Sequence, residues 1–258
     1  MEEQKRINVL DYGFVELCNV YGSDYTILES ARISTGGEAQ KGDKQDQGLI
    51  NYMYKNAHST PFEHVIIRLH IKMPIFVMRQ WIRHRTQSVN EFSSRYSEMP
   101  EEMYVPQSFK YQDKKNHQGS AQPIEEQENI LSKKIAKDTM DVSFDAYERF
   151  LRNGVSKEQS RIVLPVSQYT EFYTTMNLWN LFHLLYLRLH EHAQWEIRQF
   201  AEAILTLLKR EDSIKWSMKI FEKKNELDYL YLAALNKYKD LSSLKGVLQI
   251  FVEEEKKE

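Results

Sequence analysis

The sequence predicts an α+β fold, an antiparallel β-sheet flanked by two groups of α-helices. Three observations predict it. Residues 64–73 alternate: Val65, Ile67, Leu69, Ile71 and Met73 fall on one side, Ile66, Arg68, His70 and Lys72 on the other. That period belongs to a strand with one buried face and one exposed, with His70 on the exposed one. Residues 177–209 have helical spacing, with Asn177, Leu181, Leu184 and Arg188 on one stripe, a stripe that brings its two polar ends to one pocket wall. Only 9 Gly and 6 Pro occur in 258 residues, so long regular elements dominate. A chain of this length suits one large domain with an ample core.

The elements read in order as follows. Residues 7–21 are strand and turn. Residues 26–33 form a helix that ends in Ser34-Thr35-Gly36-Gly37. Glu38 to Gln47 is polar and reads as a mobile loop, and Gln47 to Asn56 as a short helix. Pro74 opens a helix, where its fixed φ is tolerated and its missing N–H costs nothing. That helix runs to about Arg83 and puts Gln80 and Arg83 on one face. Residues 111–128 read as an insertion loop. A further helix runs to the stop signal Asn153-Gly154. Ser156-Lys157-Glu158-Gln159 resembles a capping box for a short helix carrying Arg161. Ser167 to Met176, rich in Tyr, Thr and Phe, is a second strand. The helix from Asn177 bends near His190. Two or more helices fill 212–258, with a frayed acidic and basic tail.

Composition excludes several classes. Net charge is −2, which gives no global field for a nucleic-acid polymer. Arg79 to Arg95 nevertheless holds four Arg against Glu91, a net of +3, which suits a small anion. The single Cys leaves no internal disulfide. The charged start Met1-Glu2-Glu3-Gln4-Lys5-Arg6 has no apolar run behind it. No stretch approaches ~18 apolar residues. The expectation is a soluble, cytoplasmic protein that spans no membrane.

Chemistry concentrates between Arg83 and Glu98, where three Arg, one His, two Glu and four Ser have almost no aliphatic filler. Arg forks match phosphate and carbonyl groups, and Ser hydroxyls donate beside them. The stretch reads as the end of the Pro74 helix and the loop after it. The His spacings match no zinc or iron motif, so no metal is expected. Neither a dinucleotide fingerprint nor a P-loop occurs, so a flavin or nicotinamide site here is not a Rossmann site. Cys18 lies in an apolar run without an activating neighbour, which reads as a buried structural thiol.

Arg83-His84-Arg85, seven residues, then Ser93 resembles the signature of the flavin-dependent thymidylate synthases. His58-Ser59-Thr60-Pro61-Phe62-Glu63-His64, Arg161-Ile162-Val163-Leu164-Pro165 and Arg188-Leu189-His190-Glu191-His192-Ala193-Gln194-Trp195-Glu196 are similar to that family in the same order. The likeness covers about residues 7–210 and leaves 211–258 as a C-terminal helical extension of one catalytic domain spanning 1–258. It implies methylation of dUMP at uracil C5, with methylene-tetrahydrofolate giving the carbon and FAD, reduced by NADPH, giving the hydride. No enzyme nucleophile is needed. Nucleotide contacts implied by the resemblance are Gln80, Arg83, Glu91, Ser93, Ser94, Arg95, Arg161 and Arg188, with the phosphate on Ser93, Ser94 and Arg95 and the catalytic role on Arg188. Implied flavin contacts are Ser34, His58, Thr60, Arg83, His84, Arg85, Asn90, Glu91, Asn177, Trp179, His183 and His192. Trp179 stands where the family often has Arg, and His183 where it often has Asn. The resemblance also implies a homotetramer with sites built between subunits. Two rival readings are a nucleic-acid module using the Arg/aromatic stretch, which the net charge opposes, and a nucleotide- or flavin-binding regulator without turnover.

Overall fold

The computed structural model describes residues 5–37 and 41–237. Its strands are β1 (Arg6–Val9), β2 (Gly13–Tyr21), β3 (Ile66–Pro74), β4 (Ser88–Glu91), β5 (Lys110–Gln112), β6 (Ser120–Pro123) and β7 (Tyr169–Asn177). Five of them form one sheet in the order β1-β2-β3-β7-β4, every pairing antiparallel. The alternation in β3 sets its register. Ile67, Leu69, Ile71 and Met73 are fully buried, each worth roughly 1.5–3 kcal/mol of transfer free energy. A slip by one residue would put all four in water.

The opposite sheet face is polar and aromatic. His70 is half-buried there rather than exposed: its ring stacks on Tyr173 at 4.2 Å and its Nε2 lies 2.7 Å from Glu171. Both partners come from β7, whose register the local alternation of β3 does not contain. In β2 the register slips between Leu17 and Asn19, which makes Cys18 a bulged residue.

The helices are α1 (Asp24–Arg32), α2 (Asp43–Lys55), α3 (Thr60–Glu63), α4 (Ile75–Trp81), α5 (Glu126–Arg152), α6 (Lys157–Ser160), α7 (Leu178–Leu189), α8 (Trp195–Leu208) and α9 (Lys215–Lys237). The apolar sides of α1–α4 and α7–α9 join the buried sheet face in one core. A second group, α5 followed by α6, lies apart from that core; α5, with Val163 and Leu164 after α6, closes a smaller cluster of Met99, Met103, Phe144 and Tyr147.

Several boundaries differ from the sequence reading. α2 starts at Asp43, because Asp43 and Asp46 in its first turn suit the positive end of the helix dipole; of the expected loop, residues 38–40 lie outside the described residues. Pro74 closes β3 and caps α4 from outside, with ψ 145. The insertion 111–128 is instead the β5–β6 hairpin and the start of α5. Ser156 precedes α6 but makes no side-chain capping bond, and Arg161 opens a 3₁₀ turn (Arg161–Val163) after it. The expected bent helix from Asn177 is two helices, since His190 is extended at ψ 141 and the chain turns before Trp195. The part of 212–258 that is described is one 3₁₀ turn and the single long helix α9. Residues 238–258 lie outside the described residues.

α9 is tied to α1 by one carboxylate. Asp24 Oδ2 accepts from the Trp216 amide at 2.7 Å, and Oδ1 accepts from the amide and hydroxyl of Ser217 at 3.1 and 2.5 Å. These bonds satisfy orphan amides at the start of α9. One turn further, Phe221 stacks on Phe182 of α7 at 4.7 Å. Among the described residues no helix is long and apolar enough to cross a membrane.

Candidate active site

The basic stretch is held to the sheet by one amide. Trp81, fully buried at the end of α4, donates through Nε1 to Gln87 Oε1 at 2.9 Å. Thr174 of β7 donates to the same oxygen at 2.7 Å. Gln87 Nε2 donates to the carbonyls of His84 and Trp81 at 2.6 and 3.3 Å. All four hydrogen-bonding positions of the amide are therefore used, which fixes the turn carrying Arg83, His84 and Arg85. The chain then runs back as β4 against β7. Part of the expected loop is thus an edge strand, formed because the partner edge of β7 is open to it. Thr170 Oγ1 donates to Glu91 Oε1 at 2.6 Å and fixes that carboxylate.

Beyond β4 lies a cavity of about 340 Å³ lined by Glu91, Phe92, Ser93, Ser94 and Arg161, with Ile75, Met99 and Leu164 among its apolar walls. Arg161 donates to Ser94 Oγ at 3.0 Å. Hydroxyls, a guanidinium and a carboxylate among apolar walls suit a small, partly apolar anion. Arg95 does not line this cavity. Its Nε and Nη2 both lie 2.7 Å from Glu158 Oε2.

A second constellation surrounds Arg188. Its Nε donates to His84 Nε2 at 3.0 Å and its Nη2 to the Gln80 carbonyl at 3.4 Å. Burial, then the Arg188 charge, then His183, hold the His84 imidazole down at about 4. His84 is accordingly a neutral acceptor at neutral pH. Burial also lowers the Arg188 guanidinium from its usual range. The side chain of Gln80 is paired with Gln194.

Asn177 and Arg188 do not meet at one wall. Asn177 caps α7, accepting from the Asn180 amide at 2.8 Å, and Arg188 lies eleven residues on, roughly 16 Å along a helix. Trp179 and His183 line a third region, a cavity of about 250 Å³ between α2, α7 and α9. Ser34 is exposed in a 3₁₀ turn (Ile33–Thr35) after α1, and His58 packs edge-on to Tyr52. Thr60 opens α3, and His192 lies in the turn between α7 and α8. Ser34, His58, Thr60 and His192 line neither cavity. Arg83, Arg85 and Asn90 are exposed beside the fixed turn.

Gln87, Thr170 and Thr174 were not singled out from sequence. A signal existed: both Thr fall on the buried face of β7, where an aliphatic residue is the default. Cys18 is half-buried rather than buried, since the bulge turns it partly outward. Burial, then the Glu16 charge, raise its thiol, which disfavours the thiolate. Among the described residues no cluster of three or more His, Cys, Asp or Glu is placed to hold a metal ion.

A cavity lined by hydroxyls, a guanidinium and a carboxylate on an edge strand of an antiparallel sheet defines an α+β protein with a polar candidate site outside the doubly wound class. Residues 16–212 match the model of the thymidylate synthase complementing protein family, and the chain belongs to that family. It is 43% identical over 249 residues to a flavin-dependent thymidylate synthase of Thermus thermophilus, covering 96% of this chain and 88% of that one. It is 41% identical over 203 residues to the enzyme of the same description from Kosmotoga olearia, covering 79% and 88%. Among solved structures it resembles a UMP/dUMP methylase, PolB of Streptomyces cacaoi, bound with 5-Br dUMP, at a TM-score of 0.74 and 32% identity, covering 84% of this chain and 97% of that one.

Proposed function

We propose that this chain is a flavin-dependent thymidylate synthase: it methylates dUMP at uracil C5, taking the carbon from methylene-tetrahydrofolate and reducing equivalents from NADPH through FAD. The observation that carries this reading is the convergence of Glu91, Ser93, Ser94 and Arg161 on one cavity; the Arg188–His84 pair is a second, separate constellation that it uses. Relatives named as thymidylate synthases and a structural neighbour that holds a dUMP analogue support it.

Each part has a task. Ser93, Ser94, Arg161 and Arg95 bind the 5′-phosphate, a dianion suited to charged and hydroxyl donors. Glu91, held by Thr170, takes donors of the sugar or base. Arg188, oriented by His84 and the Gln80 carbonyl, favours negative charge on the pyrimidine edge and so makes C5 more electron-rich. Its two bonds leave Nη1 out of both. Arg83 adds charge beside the nucleotide.

The residues present fit a flavin. The cavity at Trp179 and His183 joins aromatic walls to cationic side chains, the combination a flat, phosphorylated cofactor needs. Arg83, His84, Arg85, Asn90, Glu91, Ser34, His58, Thr60, Asn177, Trp179, His183 and His192 would hold it. When bound, the flavin supplies the hydride that no side chain can give. Cys18, with its raised thiol, takes no part as nucleophile.

In this reading the protein is a homotetramer with shared sites. Support comes from Ser34, His58, Thr60 and His192, which line neither cavity within one chain and so suit a site completed by a neighbour. Mixing a Ser93→Ala/Arg95→Ala chain with an Asn177→Ala/His192→Ala chain should restore part of the activity; a fully active dilute monomer would sink the shared site.

The test of function is direct. Purified protein, alone or after adding FAD, should show an oxidised-flavin absorbance band, and should convert dUMP to dTMP only with methylene-tetrahydrofolate and NADPH. No uptake of FAD or FMN at micromolar levels would overturn the reading, as would NADPH oxidation without nucleotide product.

A further inference from the structure

Gln168 stands one residue before β7 and is fully buried. Its backbone is fixed on both sides. The amide donates to the Pro165 carbonyl at 3.0 Å, and the carbonyl accepts from the Ile75 amide at 2.9 Å. A bridge to Met103 adds a further constraint. The side-chain Nε2 donates to the Pro100 carbonyl at 2.9 Å and stands 3.5 Å from the Tyr169 carbonyl. Those carbonyls settle which end of the amide is nitrogen, since the flipped amide would set oxygen against oxygen. Oε1 is then the end left over, and it finds no partner among the described residues. A buried acceptor without a donor is costly and rare in a native fold. An aliphatic side chain of similar length would fill the place without that penalty.

The place of Gln168 in the fold accounts for the exception. It lines the same cavity as Glu91, Ser94 and Arg161. It precedes Thr170 by two residues, so both side chains leave the chain on one side, and both are buried. Thr170 in turn donates to Glu91 Oε1 at 2.6 Å. The Glu91 carboxylate and the Gln168 amide oxygen are thus two acceptors that neighbour one threonine. Arg161, bonded to Ser94, supplies the cation of the lining, and Arg188 is not part of it. The function proposed above gives the phosphate to Arg161 and Ser94 and the pyrimidine edge to Arg188. Of a nucleoside monophosphate, that leaves the sugar to face Glu91 and Gln168. A sugar hydroxyl is a donor that a neutral amide oxygen can accept.

We propose that Gln168 is a specificity-determining residue whose amide oxygen accepts a sugar hydroxyl of the bound nucleotide. The inference rests on the nucleotide site of the function proposed above. The 3′-hydroxyl of a deoxyribonucleotide and the 2′-hydroxyl of a ribonucleotide share that chemistry. The experiment measures Kd for dUMP, UMP and 2′,3′-dideoxyuridine monophosphate on the full-length wild type and on Gln168→Met, with inorganic phosphate as a probe of the anion contacts alone. Removing the recognised hydroxyl should weaken binding to the wild type about tenfold, and that gap should close in Gln168→Met. Phosphate binding should be the same in both proteins. A dUMP-to-dideoxy gap that closes assigns the 3′-hydroxyl. A UMP-to-dUMP gap that closes assigns the 2′-hydroxyl and makes a ribonucleotide a ligand of this site. A wild type that binds all three nucleotides alike overturns the proposal. Gaps that persist in the variant overturn it too, as does equal weakening of every nucleotide, which marks a purely structural role. Nucleotide binding with unchanged gaps leaves the proposed function standing. A gap that closes in a protein that converts no dUMP keeps the role of Gln168 and overturns that function; a protein that binds no nucleotide overturns both. If Gln168→Met melts early, Gln168→Leu decides by the same gaps.

Discussion

Arg188 of α7 donates through Nε to Nε2 of His84, 3.0 Å away and 104 residues earlier in the chain. The bond requires a neutral imidazole, and burial supplies one. Two residues of different motifs therefore form one unit. In Arg188→Ala, turnover should fall by about 10²–10³, the scale for removing a preorganised charged donor, while dUMP affinity changes much less. Steady-state kinetics with a separate binding titration tests this. A loss seen in affinity alone would move Arg188 out of the activating role.

The same pair gives a pH signature. The free imidazole titrates near 6.5 and the folded one near 4. This folded value is depressed, so the contribution of neutral His84 to stability is complete above about 6.5 and is lost as pH falls through about 4. Imidazole NMR should show His84 neutral throughout that window, in contrast to an ordinary histidine. A His84 resonance that titrates near 6.5 would break the pairing.

Arg95 and Glu158 set a different contest. Both side chains are more than half exposed, so their ion pair is worth ~0–1 kcal/mol. A charged hydrogen bond to phosphate is worth roughly 1.5–3 kcal/mol. The phosphate should win Arg95 from Glu158. Arg95→Ala is expected to weaken dUMP binding by roughly 1.5–3 kcal/mol, and Glu158→Gln to strengthen it by up to ~1 kcal/mol. Calorimetric titration separates the two, and unchanged affinity in both would remove Arg95 from the phosphate site.

Cys18 sits in a β-bulge with its thiol raised by burial and by Glu16. Cys18→Ser should leave dUMP methylation within a few-fold of wild type. A loss of several orders of magnitude in a folded variant would show that the enzyme uses a thiolate after all.

Asp24 is the tertiary cap of α9. Burial raises its carboxyl, against the pull of those hydrogen bonds. Asp24→Ala leaves amides of α9 without their acceptor, so Tm should fall; Asp24→Asn, which keeps an acceptor oxygen, should fall less. Equal melting in all three would mean that α9 is held by Trp216 and Phe221 alone.

Much of this was legible in the sequence, because the signals were local. The alternation in β3 fixed a strand and its buried face, since period two leaves one solution once a core exists. The Gly154 stop and the helical stripe of Leu181 and Leu184 were equally readable. The Arg83–Arg95 stretch stood out by residue type alone as a candidate anion site. What tertiary structure alone decided was pairing at a distance. β4 is a strand only because β7 offers it an edge. Gln87 became the fastening of the basic turn only once Trp81 and Thr174 stood on either side of its amide. His70 and Cys18 changed exposure through register, and Arg95 met Glu158 across sixty-three residues. Periodicity and composition report what each segment needs to bury or to bind. Which neighbour meets that need depends on how the whole chain closes, and no single segment carries that information.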